Sequence, residues 1–100
     1  MDIATLTPEQ FEPLIGQPVS VATSQGELAL TVVSVAPHSG DSRPDAAVRT
    51  GFTVTLSGPQ SPMLEQGAWE ITLPGVGAAA LFLSPFDQTD TATRYEIIFN

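Results

Sequence analysis

From Val19 onward, apolar residues fall at every second position rather than every third or fourth. Val19 and Val21 alternate with Ser20 and Ala22. Phe52, Val54 and Leu56 alternate with Thr53, Thr55 and Ser57. Trp69, Ile71 and Leu73 alternate with Glu70 and Thr72, and Tyr95, Ile97 and Phe99 with Arg94, Glu96 and Ile98. A period of two sends successive side chains to opposite faces, so each segment reads as a half-buried strand.

Turn chemistry separates these segments at Gln25-Gly26, at Gly58-Pro59-Gln60-Ser61-Pro62, at Pro74-Gly75-Val76-Gly77 and across residues 87–91. The predicted strands span 19–23, 27–36, 51–57, 68–73, 78–84 and 93–99. Short connections favour an antiparallel meander. Leu28, Leu30 and Val32 share one phase, but Val33 and Val35 follow in the other. One extra residue reverses the facing of a strand, so a bulge is expected near Val32-Val33. Residues 79–83 are apolar on both faces, as in a strand covered on both sides.

Ahead of the strands, one short helix is expected at about 8–15. Thr7 suits the N-cap, Pro8 the first helical position, and Gln10 the third, where it completes a capping box. Leu6 and Phe11 fit a hydrophobic staple. Pro13 restricts Glu12 and should keep the helix brief, with Gly16 ending it. The expected fold is mostly β: a small antiparallel barrel or strongly curved six-stranded sheet with one short N-terminal helix, as one domain over residues 1–100.

Composition narrows the function. Eleven acidic residues face three arginines and no lysine, for a net charge of −8. Such a chain repels phosphate backbones and anionic lipid surfaces, so no nucleic acid and no membrane partner is expected. The charge serves solubility or offers a docking face to a basic partner. Without cysteine there is no disulfide, thiol nucleophile or thiolate metal site. Residues 1–5 carry no basic, apolar leader pattern, which points to the cytoplasm. Assembly into an extracellular or virion structure stays open.

No catalytic, cofactor-binding or metal-binding residue is assigned. His38 is the sole histidine, with Ser39 and Ser42 nearby, but residues 37–50 read as a polar loop that would not preorganise a triad. Asp41, Arg43 and Asp45 read as solvated loop residues. Asp87, Thr89, Asp90 and Thr91 supply oxygens, yet the spacing lacks the glycine and glutamate of a calcium loop and fits a turn. Glu27, Glu65, Glu70 and Glu96 are scattered, unlike a catalytic carboxylate pair. Gly75-Val76-Gly77 lacks the lysine or following helix of a phosphate loop. Trp69 reads as core rather than as a stacking platform.

Four ordered segments carry a resemblance. They are Phe52 to Pro59, ending in Gly58-Pro59; Leu64-Glu65-Gln66-Gly67 leading to Leu73-Pro74; Leu81-Phe82-Leu83-Ser84-Pro85; and Arg94-Tyr95-Glu96-Ile97-Ile98-Phe99-Asn100. With Phe11 to Gln17, they resemble a group of small bacterial proteins classed as a domain of unknown function, the one numbered 6916. Gly77-Ala78-Ala79-Ala80 departs from the more polar residues of that strand. Members are often encoded near proteins resembling phage tail-collar or tail-fibre components. The resemblance implies an accessory role and supplies no activity and no catalytic residues.

The expected function is a non-catalytic protein-interaction or structural accessory module, and the resemblance implies a phage-tail-like or fibre-like assembly as its setting. The alternative is a small-ligand-binding barrel, which a cavity lined by Trp69, Phe52 and Tyr95 would favour. The expected core comprises Phe52, Val54, Leu56, Trp69, Ile71, Leu73, Leu81, Leu83, Tyr95, Ile97 and Phe99. Phe82 and Ile98 fall out of phase with it and must be covered by something. The N-terminal helix, through Leu6, Phe11, Leu14 and Ile15, is the expected cover; a partner protein is the alternative, with Phe82 and Ile98 facing it.

Overall fold

The computed structural model describes residues 8–37, 51–61 and 63–99. Six antiparallel strands close into a barrel: β1 Pro18–Thr23, β2 Gly26–Pro37, β3 Phe52–Pro59, β4 Gly67–Leu73, β5 Gly77–Gln88 and β6 Ala92–Phe99. A single turn of helix, α1 Pro8–Phe11, leads into a 3-10 turn over Glu12–Leu14. The α-helical turn ends just before the Glu12-Pro13 pair, as the proline restriction requires. Leu6 and Thr7, the expected staple and cap residues, lie outside the described residues, as does the loop segment 38–50.

The strand order around the barrel is β1-β2-β3-β6-β5-β4. This departs from a simple meander. Two three-stranded meanders, β1-β2-β3 and β4-β5-β6, join where β3 pairs with β6 and where β4 pairs with β1. The segment between Pro59 and Gly67 leads the chain away from β3, leaving that edge to β6. Phe52↔Phe99 through Pro59↔Ala92 form an unbroken ladder, whereas β1 and β4 share two pairs, Ser20↔Thr72 and Val21↔Ile71.

The expected bulge is present. Val32 pairs with Leu56 and Ser34 with Thr55, so Val33 is the extra residue and Val35 returns to face Val54. A second bulge follows in β5, where Pro85 pairs with Tyr95 and Asp87 with Arg94, leaving Phe86 extra. The strand therefore runs on through Gln88, and the expected turn at 87–91 shrinks to residues 89–91. There the Thr89 hydroxyl accepts from the backbone N–H groups of Thr91 and Ala92 at 3.3 and 3.1 Å. At the β4–β5 connection, Val76 N–H donates to Leu73 C=O at 3.0 Å, and Gly75 has φ +75°. Proline followed by a positive-φ glycine is the signature of a type II turn.

Inward residues fill the barrel. Of the expected core, all but Trp69 are buried, joined by Val19, Val21, Leu30, Val32, Leu64 and Ala79. Gly58 lies directly over Leu30; a β-carbon there would collide with Leu30 Cδ2, so any larger residue requires the buried Leu30 side chain to shift. Phe11 and Leu14 do not lie on the outer wall. They enter the core, and Phe11 packs its ring 5.8 Å from Phe52 and 5.4 Å from Phe99, which stack on each other at 4.5 Å. The helical turn is thus a plug in one end of the barrel. Its exit is fixed by Gly16 N–H donating to Val32 C=O at 2.8 Å and Val32 N–H to Gln17 C=O at 3.1 Å.

At the other end, the fully buried Tyr95 hydroxyl accepts from Leu64 N–H at 3.0 Å. Removing that hydroxyl leaves a buried N–H without its acceptor. Tyr95→Phe should therefore lose about 1–3 kcal/mol in a urea melt. A change too small to measure would mean that water replaces the hydroxyl at Leu64 N–H.

Candidate functional site

Two surface features stand out. The first is the outer face of β5 and β6. Phe82 and Ile98 are 54% and 52% exposed. The β5–β6 ladder runs from Ser84↔Glu96 to Gln88↔Thr93; continuing its register past that pair brings Phe82, two residues before Ser84, and Ile98, two residues after Glu96, to the same outward side. They therefore share one outward face of β5 and β6. Ala68 lies opposite Phe82 on β4, and Thr53 opposite Ile98 on β3. Phe86, at the second bulge, adds another half-exposed ring four residues along β5.

The N-terminal helix does not cover this face, contrary to the sequence expectation. Phe11 and Leu14 are committed to the barrel interior, and Ile15 is itself exposed. Ring stacking between Phe52 and Phe99 provides a better site for Phe11 than an open sheet surface. Likewise β5 is not covered on both sides, since Ala78, Ala80 and Phe82 all face outward and are exposed. Carboxylates flank the apolar pair. Glu96 is two residues from Ile98 on β6, and Glu70, opposite Ala80, is two residues from Ala68 on β4.

The second feature is a cleft of about 270 Å³ lined by Thr23, Ser24, Gln25, Gly26, Glu27, Leu28, Leu64 and Trp69. It opens because the β1–β4 ladder stops after Val21↔Ile71. The β1–β2 turn and the start of β4 then part, and the end of the barrel gapes between them. Trp69 lies on the inward phase of β4 but at this gap, so it is half-buried rather than core. Its indole N–H donates to Glu65 C=O at 2.9 Å, which fixes the ring against the cleft. The Glu27 carboxylate accepts from the Ser20 hydroxyl across β1 and β2.

Other sequence candidates do not converge here. His38, Ser39, Asp41, Ser42, Arg43 and Asp45 lie outside the described residues. Asp87 pairs with Arg94 across β5 and β6, away from the cleft. Among the described residues there is no cluster of three or more histidine, aspartate or glutamate side chains able to hold a metal ion. Among them, too, no helix is long and apolar enough to cross a membrane. The cleft was not foreseen from sequence. The one local hint was the tryptophan at the start of its strand, close to the Gln66-Gly67 turn.

Comparison with known proteins returns no matching curated protein and no matching solved structure. A family model does match, over residues 6–99, and so spans every described strand as well as the plug. The chain belongs to the family described as a domain of unknown function, DUF6916.

Proposed function

We propose that this chain is a non-catalytic protein-interaction module whose partner docks on the outer face of β5 and β6. The observation that carries the reading is the exposure of both Phe82 and Ile98 on the same outward face of β5 and β6. Large apolar side chains grouped on a surface are a common mark of a docking site. Partner chemistry follows from the surroundings. Glu70 and Glu96 flank the pair, and the chain carries net −8 with no lysine. A second copy would bring like charges together, so the fitting partner is a different protein with apolar anchors flanked by lysine or arginine. The same charge argues against nucleic acid as the partner.

The family resemblance suggests a bacterial setting and an accessory place in a tail-like or fibre-like assembly. The small-ligand barrel is the weaker reading, because Phe52 and Tyr95 are fully buried in a filled interior and do not line the cleft. The test compares immobilised wild type with Phe82→Asp and Ile98→Asp in extract from the native host. The expected result is a protein retained by wild type, released by added salt and lost with both variants. Equal retention by all three chains would refute this docking face.

A further inference from the structure

We propose that the partner brings an extended, basic strand, which adds to the open edge of β5. The inference rests on the β5–β6 docking face and states the form of the chain that docks there. The edge is read from the ladders. β5 pairs with β4 from Leu73↔Gly77 to Gly67↔Leu83, but its ladder with β6 covers only Ser84↔Glu96 to Gln88↔Thr93. Among the described residues, 77–83 are therefore laddered on one side only. Continuing the β6 register brings Phe99, where β6 ends, opposite Leu81, so residues 77–80 lie wholly past it. α1 and the 3-10 turn pack against β2 and supply no strand here.

A strand backbone is the ligand such an edge calls for. Every second residue turns its N–H and C=O to the open side, and a neighbouring strand satisfies both groups. Edges are ordinarily blunted by charge, proline or a bulge. Residues 77–83 read Gly-Ala-Ala-Ala-Leu-Phe-Leu and carry none of these; Pro85 and the bulge at Phe86 come only after the β6 ladder has begun. Ala78 and Ala80 are exposed on the outward face and lead along the strand to Phe82, so an added strand continues the line of β6 next to the docking pair. Charge sets the sign of the occupant. Ala80 pairs with Glu70, which is exposed on the same outward face. A residue on the other flank of Ala80 lies two strand spacings, roughly 10 Å, from Glu70. A lysine there extends toward the carboxylate over the small alanine side chain. A second copy would bring a further net charge of −8 to the edge, so the occupant is a different chain.

The probe is the peptide acetyl-Lys-Val-Lys-Val-Lys-Val-Lys-amide, titrated at low salt into the intact isotope-labelled chain and followed by NMR. Beside it run the same peptide N-methylated throughout, which cannot donate to a strand edge, and the form with glutamate in place of lysine. At saturation the parent peptide should slow hydrogen exchange at least about tenfold at one or more of the Ala78, Ala79 and Ala80 amides. Neither control peptide should do so. Glu70→Gln, at an exposed position, should weaken binding of the parent peptide at least about threefold. No slowing within residues 77–80, equal binding of the parent and N-methylated peptides, or an unchanged affinity in Glu70→Gln would overturn the proposal. So would protection of the same amides in the chain alone as its mass doubles with concentration, which would put a second copy on the edge. The docking face is read separately, by retention in host extract with Phe82→Asp and Ile98→Asp. Retention lost in both variants, with no protection at residues 77–80, leaves the face standing and removes the added strand.

Discussion

Phe52→Ala should lower the free energy of unfolding by about 3–5 kcal/mol in urea denaturation. Phe52 is completely buried at the start of β3, stacked on Phe99 and packed against Phe11. Deleting the ring removes its own transfer energy and strips two other rings of a neighbour. β-Strand ladders on either side, to Pro37 and to Phe99, hold the backbone in place and limit how far the cavity can collapse. The control is Phe82→Ala on the outer face, which should change stability by less than about 0.5 kcal/mol, as surface substitutions usually do. A similar loss in both would mean that the strand phase is wrong. A loss under about 1 kcal/mol at Phe52 would mean that the end of the barrel rearranges around the gap.

Phe11→Asp should cost at least about 4 kcal/mol, combining the lost ring with a carboxylate carried into an apolar site. That is a large part of the total stability of a domain this size, about 5–15 kcal/mol. The variant should be mostly unfolded, or should fold with the plug released and the stacked rings of Phe52 and Phe99 open to water. Circular dichroism together with binding of a hydrophobic dye distinguishes it from wild type in either case. Phe82→Asp should leave the melt close to wild type. If Phe11→Asp melts like wild type, the plug is not part of the core and α1 packs elsewhere.

Much of this architecture is legible in the residues, and the limits have identifiable causes. Alternation at Phe52, Val54 and Leu56 gives a strand and its inward face directly, because burial on one face forces a period of two. The bulge at Val33 is visible as a phase slip between two apolar runs. The bulge at Phe86 is not, because Pro85-Phe86-Asp87 carries turn residues and the strand continues only through its pairing with β6. Strand order is also hidden. Each hairpin is encoded locally, but the β3–β6 junction depends on which free edges meet when two meanders close.

The site is less legible than the fold. Phase alone places Phe82 and Ile98 outside the core, and they are outside it. Where α1 docks is a different matter. Its proline and the residues after it set a short helix, but whether Phe11 lies on the wall or in the mouth depends on the space left beside the stacked rings of Phe52 and Phe99. Trp69 shows the same limit. Its phase is inward, yet burial fails because the neighbouring ladder ends two pairs in, and no local pattern records where a ladder between distant strands stops.

The most direct test of the interaction reading places a photoreactive phenylalanine analogue at position 82 in the chain, made in its native host. The same analogue at Thr31, an exposed outward position on β2, serves as the control. Irradiation of intact cells should give one discrete heavier adduct from position 82 and none from position 31. That adduct should contain a second, different protein. No adduct at 82, the same products from both positions, or an adduct made only of two copies of this chain would contradict the account.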